Sequence, residues 1–85
     1  QELQEVKDYF NEQSAGLGDA FIIYFQKQTD LIAKNPFLFQ KVYANKRRAI
    51  IEKFRYNIIY VVHDDQVLIL GILHGSRNPA SWKNR

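Results

Sequence analysis

The sequence contains no cysteine. This absence excludes disulfide bonds, thiolate ligands for a metal ion and a thiol nucleophile, and it favours a reducing compartment. No apolar run approaches the ~20 residues that a membrane-spanning helix needs, and the first residues do not resemble a signal peptide. We therefore expect a cytoplasmic protein that has no membrane partner.

Proline and glycine are scarce, with two and four residues in a chain of 85. A chain of this length has room for one core, so residues 1–85 are expected to form a single domain that buries roughly 60–65% of its unfolded surface. Hydrophobic residues make up 46% of the sequence and charged residues 25%, which is a globular composition. The formal net charge of +3 suits an acidic partner, although such a charge is also ordinary for a soluble domain.

Apolar residues recur with helical spacing at the start of the chain. Leu3, Val6 and Phe10 fall at i, i+3 and i+7, which predicts an amphipathic helix over Glu2–Gln13. Residues 14–18 are expected to end this helix, because their two glycines permit the backbone angles of a tight reversal.

A second helix is expected to follow, with Asp19 as its N-cap. Its end is predicted at Asn35–Pro36, since a residue before proline avoids helical angles. Two amphipathic helices with a short link predict an antiparallel helical hairpin. The apolar face of the second helix carries Phe21, Ile22, Phe25 and Ile32.

Strand-like patterns occupy the second half of the chain. Predicted strands cover Arg47–Phe54, Arg55–His63 and Gln66–His74, whereas Gln40–Ala44 is either a short strand or irregular. The two aspartates at 64–65 fit a tight hairpin turn. The fold class is therefore α+β, with an N-terminal antiparallel helical hairpin packed on an antiparallel sheet of three to four strands.

The aspartate turn also predicts a register for the last hairpin. If His63 faces Gln66, then Arg55 lies opposite His74, and both surfaces of the hairpin are apolar in the middle. We expect the helices to cover one surface. The other is either covered by the C-terminal segment or left for a partner.

That register gathers groups that could act on a phosphate. Arg55 and His74 would be neighbours with Arg77 just beyond, and such a cluster could hold a phosphate while histidine transfers a proton. The alternative is a solvated strand end, where charged residues are common. His63 and His74 lie at opposite ends of the hairpin, so no metal site is expected. Gly16-Leu-Gly18 lies between helices and resembles a turn rather than a phosphate-binding loop, so no cofactor is expected.

Two further groups of residues are candidates for contact with a partner. The basic run Lys46, Arg47 and Arg48 either extends a positive binding surface or is a solvated edge that prevents unwanted strand pairing. At the C-terminus, Trp82 either docks the tail onto the sheet or anchors a partner. Arg77, Lys83 and Arg85 surround it with positive charge.

Four segments, taken in their order and spacing, are informative together. They are Gly16-Leu-Gly18 followed by Phe21, Asn35-Pro36, Phe54-Arg-Tyr-Asn-Ile-Ile-Tyr60, and His74-Gly-Ser-Arg-Asn-Pro-Ala-Ser-Trp82 with Arg85. Together these segments resemble the RelE/ParE superfamily, the toxins of bacterial toxin–antitoxin modules. The closing order of His74, Arg77, Pro79 and Trp82 is similar to the ParE branch. The resemblance implies a helical hairpin packed on an antiparallel sheet.

The start of the chain departs from that superfamily. Its members usually begin with a strand before the first helix, whereas this sequence begins within that helix. We expect either that a natural N-terminal segment is absent from this sequence or that this member is shortened. In both cases an open sheet edge is expected.

The superfamily implies two activities. RelE-like members are ribosome-dependent endoribonucleases that cut messenger RNA. ParE-like members are described as poisons of DNA gyrase. Members of both branches have a cognate antitoxin as partner. In RelE-like chains the tyrosine that matches Tyr56 is followed by an arginine, but here Asn57 follows. Those chains also carry a tyrosine near the position of Trp82, and Arg77 is offset from a second RelE arginine.

The comparison favours a ParE-like toxin that binds gyrase, has no assigned catalytic residue and is neutralised by an antitoxin. The alternative is a RelE-type endoribonuclease that uses Arg55, His74 and Arg77, with the ribosome or messenger RNA as partner. A third possibility is a decayed module member that only binds its partner.

Overall fold

The computed structural model describes residues 2–75. Two helices precede a four-stranded sheet in which every neighbouring pair of strands is antiparallel and the order is β1-β2-β3-β4. This arrangement confirms the predicted α+β fold. The elements are α1 (Glu2–Gln13), α2 (Leu17–Lys34), β1 (Lys41–Tyr43), β2 (Lys46–Ile51), β3 (Tyr56–His63) and β4 (Gln66–His74).

The second helix begins earlier than predicted. Its N-cap is Gly16, which has a φ of 85° and makes no side-chain capping hydrogen bond. Asp19 is therefore not the cap but a first-turn residue, where its carboxylate lies 3.6 Å from the Lys7 ammonium group of α1. The left-handed angle at Gly16 is what reverses the chain, and glycine adopts it without steric cost.

Close approach of the two helices depends on Gly18. A Cβ atom added to this residue would overlap the carbonyl oxygen of Lys7. In addition, the backbone N–H of Gly18 donates a 2.7 Å hydrogen bond to Oδ1 of Asn11. Because the first N–H groups of a helix have no partner within that helix, the Asn11 side chain satisfies one of them from α1.

The main core lies between the helical hairpin and one face of the sheet. An aromatic cluster in this core joins α1 to the β2–β3 turn and β3, since the ring centroids of Phe10 and Phe54 are 5.0 Å apart and those of Phe10 and Tyr56 are 5.8 Å apart. Each large apolar side chain buried here contributes about 1.5–3 kcal/mol. The buried members are Phe21, Ile32, Ala49, Ile51, Phe54, Ile58, Tyr60 and Ile72.

The predicted register of β3 with β4 is correct only near the turn. His63 faces Gln66, and both turn aspartates have positive φ angles, but the pairing shifts between Ile59 and Tyr60. Leu70 is the additional residue in β4, so the strand contains a β-bulge. Beyond the bulge Ile72, rather than Gly71, lies opposite Ile58. The bulge therefore places an isoleucine in the core where the uninterrupted register would place a glycine.

Two predictions about Arg55 are wrong. The residue lies in a turn and does not begin β3. Because of the register shift, Tyr56 rather than Arg55 is the cross-strand partner of His74. Strand β2 ends at Ile51 instead of Phe54, and a turn at 52–55 follows. This turn closes through hydrogen bonds from the Arg55 N–H to the carbonyl oxygens of Ile51 and Glu52.

The sheet face that points away from the helices also contains buried groups. Ile59 and Leu73 form a second, small apolar cluster there, and Asn57 is 1% exposed. Oδ1 of Asn57 has no hydrogen-bond partner within the described part of the chain. The helical hairpin covers the opposite face of the sheet, as predicted, and the main core lies there.

Candidate functional site

Arg55 and His74 border the same shallow cleft even though they are not paired. Arg55 has a φ of 58°, a left-handed conformation that is uncommon for a residue with a side chain. Its carbonyl oxygen accepts a hydrogen bond from the N–H of Gly75. The cleft has a volume of about 370 Å³ and is lined by Ile50, Glu52, Arg55, His74 and Gly75.

The imidazole of His74 rests edge-on against a ring of the core. Its ring centroid lies 5.3 Å from that of Tyr56, and the two planes meet at 88°. Tyr56 in turn packs against Phe10 and Phe21. Because these aromatic contacts anchor Tyr56, the cross-strand contact gives His74 a fixed support at the end of β4.

Asn57 occupies the position at which RelE-like chains carry an arginine, and its side chain is not accessible. It lies opposite Leu73 on the sheet face that points away from the helices and is 1% exposed. An uncharged, buried amide cannot reach a phosphate group or neutralise charge on it. The arginine that the resemblance to RelE-like chains would imply is therefore absent at this position.

The three residues of the basic run at the start of β2 have different surroundings. Nη1 of Arg47 donates a 2.6 Å hydrogen bond to the carbonyl oxygen of Phe39, and its guanidinium carbon lies 5.2 Å from the centroid of the Phe37 ring. Lys46 places its ammonium group 5.3 Å from the centroid of Tyr43. Arg48 is exposed. Arg47 therefore fixes the segment that follows α2, while Lys46 and Arg48 are better placed for a partner.

The two predicted clusters lie far apart on the sheet. Arg47 pairs with Tyr60, whereas Ile51 pairs with Tyr56, so the basic run and the Arg55 turn lie at opposite ends of β2. The structure thus brings Arg55 close to His74 but does not bring either residue close to Lys46–Arg48. Arg77, Trp82, Lys83 and Arg85 lie outside the described residues, and their roles stay predictions.

One cluster was not found from the sequence. Lys27 of α2 and Lys53 of the β2–β3 turn place their ammonium groups 5.9 and 5.7 Å from the centroid of the Tyr24 ring. Tyr24 is 39% exposed, and its ring packs against buried Phe54. The i, i+3 spacing of Tyr24 and Lys27 could have suggested a pair, but no local pattern indicates that Lys53 joins it.

Charge is distributed unevenly over the fold. Helix α1 carries four carboxylates and one lysine, whereas residues 41–55 carry six cationic side chains and one glutamate. A small domain with separated charge of this kind attracts an acidic partner to one side. The basic side consists of β1, β2 and the β2–β3 turn.

Metal-binding clusters and membrane-spanning helices are both absent from residues 2–75. No group of three or more His, Asp or Glu side chains is placed to hold a metal ion in that range. Neither of its helices is long and apolar enough to cross a membrane.

Comparison with known proteins gives the family. No curated protein matches the chain. The model of the family described as "ParE toxin of type II toxin-antitoxin system, parDE" matches residues 1–79. The match covers both helices and all four strands, together with the cleft and the Tyr24 cluster. The chain therefore belongs to the ParE toxin family of type II toxin–antitoxin systems.

Proposed function

We propose that this protein inhibits DNA gyrase by binding to it and that a cognate antitoxin neutralises it. Family membership makes it a toxin with an antitoxin partner. The resemblance to the ParE branch supplies gyrase as the target. Lys46, Arg48 and the C-terminal residues Arg77, Trp82, Lys83 and Arg85 are the candidate contacts.

The burial of Asn57 carries the choice of binding over RNA cleavage. Cleavage of RNA develops negative charge on a phosphorane, and each missing stabilising group typically costs a factor of about 10²–10³ in rate. Asn57 is uncharged and 1% exposed, so it supplies no such stabilisation. A toxin that acts by binding does not need that group.

An assay of both activities tests the proposal. The full-length gene is induced without its antitoxin, and the purified protein is added to gyrase supercoiling reactions and, in parallel, to translating ribosomes. We expect loss of supercoiling with intact messenger RNA. Cleaved messenger RNA with normal supercoiling would contradict the proposal, and no effect in either assay would support a member that only binds its partner.

The second candidate function is a ribosome-dependent endoribonuclease. The observation that favours it is the shared cleft of Arg55 and His74, which combines a guanidinium group with an imidazole. On this alternative His74→Ala abolishes RNA cleavage and leaves antitoxin binding intact. On the gyrase proposal the same substitution does not change the amount of intact messenger RNA.

A further inference from the structure

The Tyr24 cluster lies in a groove between α2 and β2, which we call the α2–β2 groove. Its volume is about 420 Å³, and Tyr24, Lys27, Phe39, Ile51, Glu52 and Lys53 are among its lining residues. Its wall is held together by Gln28, whose amide nitrogen donates a 2.8 Å hydrogen bond to the carbonyl oxygen of Ile50. The groove is therefore built from two elements that are fixed to each other.

The floor of this groove is apolar and partly open to solvent. Tyr24 is 39% exposed, and its ring is held in place by Phe54 beneath it. Phe39, another apolar residue of the lining, is half-buried. An apolar lining that is partly open to solvent marks a surface for a partner.

The charge of the groove indicates what kind of partner fits. Lys27 and Lys53 approach the same Tyr24 ring from two different elements, and neither forms an ion pair with a carboxylate within residues 2–75. Two ammonium groups beside an apolar floor complement a segment that carries an apolar side chain flanked by carboxylates. Nucleic acid fits less well, because a run of phosphates is bound by several cations, whereas this groove offers two ammonium groups beside a largely apolar lining.

We propose that the α2–β2 groove binds an acidic segment of the antitoxin, with an apolar side chain of that segment seated on Tyr24 and carboxylates paired with Lys27 and Lys53. This proposal rests on the part of the proposed function in which an antitoxin neutralises the toxin. It does not depend on the identity of the toxin's target. It adds a contact on the helical side of the basic face, separate from the C-terminal residues.

Charge reversal with a matched control tests the groove. The double variant Lys27→Glu/Lys53→Glu of the full-length toxin is compared with Lys34→Glu/Lys41→Glu, which makes the same change in charge outside the groove. Binding of the purified cognate antitoxin is measured by calorimetry at several salt concentrations. We expect Kd to rise about 10–100-fold for the groove variant, with a weaker salt dependence, and to change less than about 3-fold for the control. Thermal unfolding of both variants verifies that they are folded.

A milder pair, Lys27→Gln/Lys53→Gln, keeps the test valid if the charge reversal impairs folding. An unchanged Kd in a folded groove variant, or an equal loss in groove and control variants, would overturn the proposal. Loss of binding to a DNA duplex with unchanged antitoxin affinity would overturn it as well and indicate a nucleic-acid surface. Gyrase inhibition by the wild-type toxin is measured separately. If the groove variant binds the antitoxin more weakly while the wild-type toxin does not inhibit gyrase, the groove proposal is supported and the proposal that gyrase is the target is wrong.

Discussion

The phenol of Tyr60 donates a 2.8 Å hydrogen bond to the carbonyl oxygen of Pro36. Tyr60 lies in the central strand β3 and is 0% exposed, so this bond ties the middle of the sheet to the residues that leave α2. We expect Tyr60→Phe to lower the free energy of unfolding by about 1 kcal/mol, because it removes the bond and leaves the Pro36 carbonyl without it. Urea denaturation at pH 7 measures this change. An unchanged or higher stability would contradict it.

The same phenol predicts a loss of stability in alkali. Burial raises the pKa of Tyr60, and the positive charge of Arg47 offsets only part of that rise. Since the folded pKa lies above the unfolded value of about 10, the contribution of Tyr60 is complete below pH ~10 and disappears as the pH rises through the folded pKa. Unfolding free energies measured from pH 8 to pH 11 should fall more steeply for the wild type than for Tyr60→Phe. Parallel curves would show that Tyr60 does not cause the loss.

The two glycines of the interhelical turn should differ in their tolerance of a methyl group. Gly18→Ala forces a Cβ atom into the carbonyl oxygen of Lys7 and so pushes the helices apart. Gly16→Ala meets no atom within 4 Å and costs only the strain of its left-handed backbone, about 1 kcal/mol. We expect Gly18→Ala to destabilise the protein more, with the midpoint of thermal unfolding as the measurement. The reverse order would mean that the helices do not meet at Gly18.

Substitution of the adjacent residues Arg47 and Arg48 should distinguish a structural arginine from one that is only exposed. Arg47→Ala removes a charged hydrogen bond to Phe39, which is worth about 1.5–3 kcal/mol, as well as the contact with Phe37. Arg48→Ala changes an exposed side chain and should alter stability by less than about 0.5 kcal/mol. Chemical denaturation of the two variants compares them directly. Equal stabilities would indicate that Arg47, like Arg48, is only a surface charge.

The sequence predicted the type and order of both helices and of the last three strands because their signals are local, whereas the segment that contains β1 stayed open between a strand and irregular structure. The spacing of Leu3, Val6 and Phe10 determines α1, and two consecutive residues at 64–65 determine a turn. The bulge at Leu70 could not be predicted, since an uninterrupted hairpin satisfies the same alternation. It depends on which residue reaches the core, and Ile72 rather than Gly71 does so.

The candidate site was predicted in part. Arg55 and His74 were expected to be neighbours, and they do border one cleft, although Gly75 rather than His74 meets the Arg55 backbone. The meeting of Lys27 and Lys53 at Tyr24 depends on how α2 crosses the end of β2. That crossing is a tertiary relationship, and no spacing along the chain encodes it.

The most direct test of the central claim is a supercoiling titration of gyrase with the full-length toxin and with its Arg55→Ala/His74→Ala variant. If the toxin acts on gyrase by binding, without the cleavage cluster, both proteins should inhibit supercoiling at similar concentrations, and added antitoxin should relieve the inhibition. If the wild type leaves supercoiling unchanged and cuts messenger RNA on translating ribosomes while the variant does not, the claim is wrong and the cleft of Arg55 and His74 is the active site.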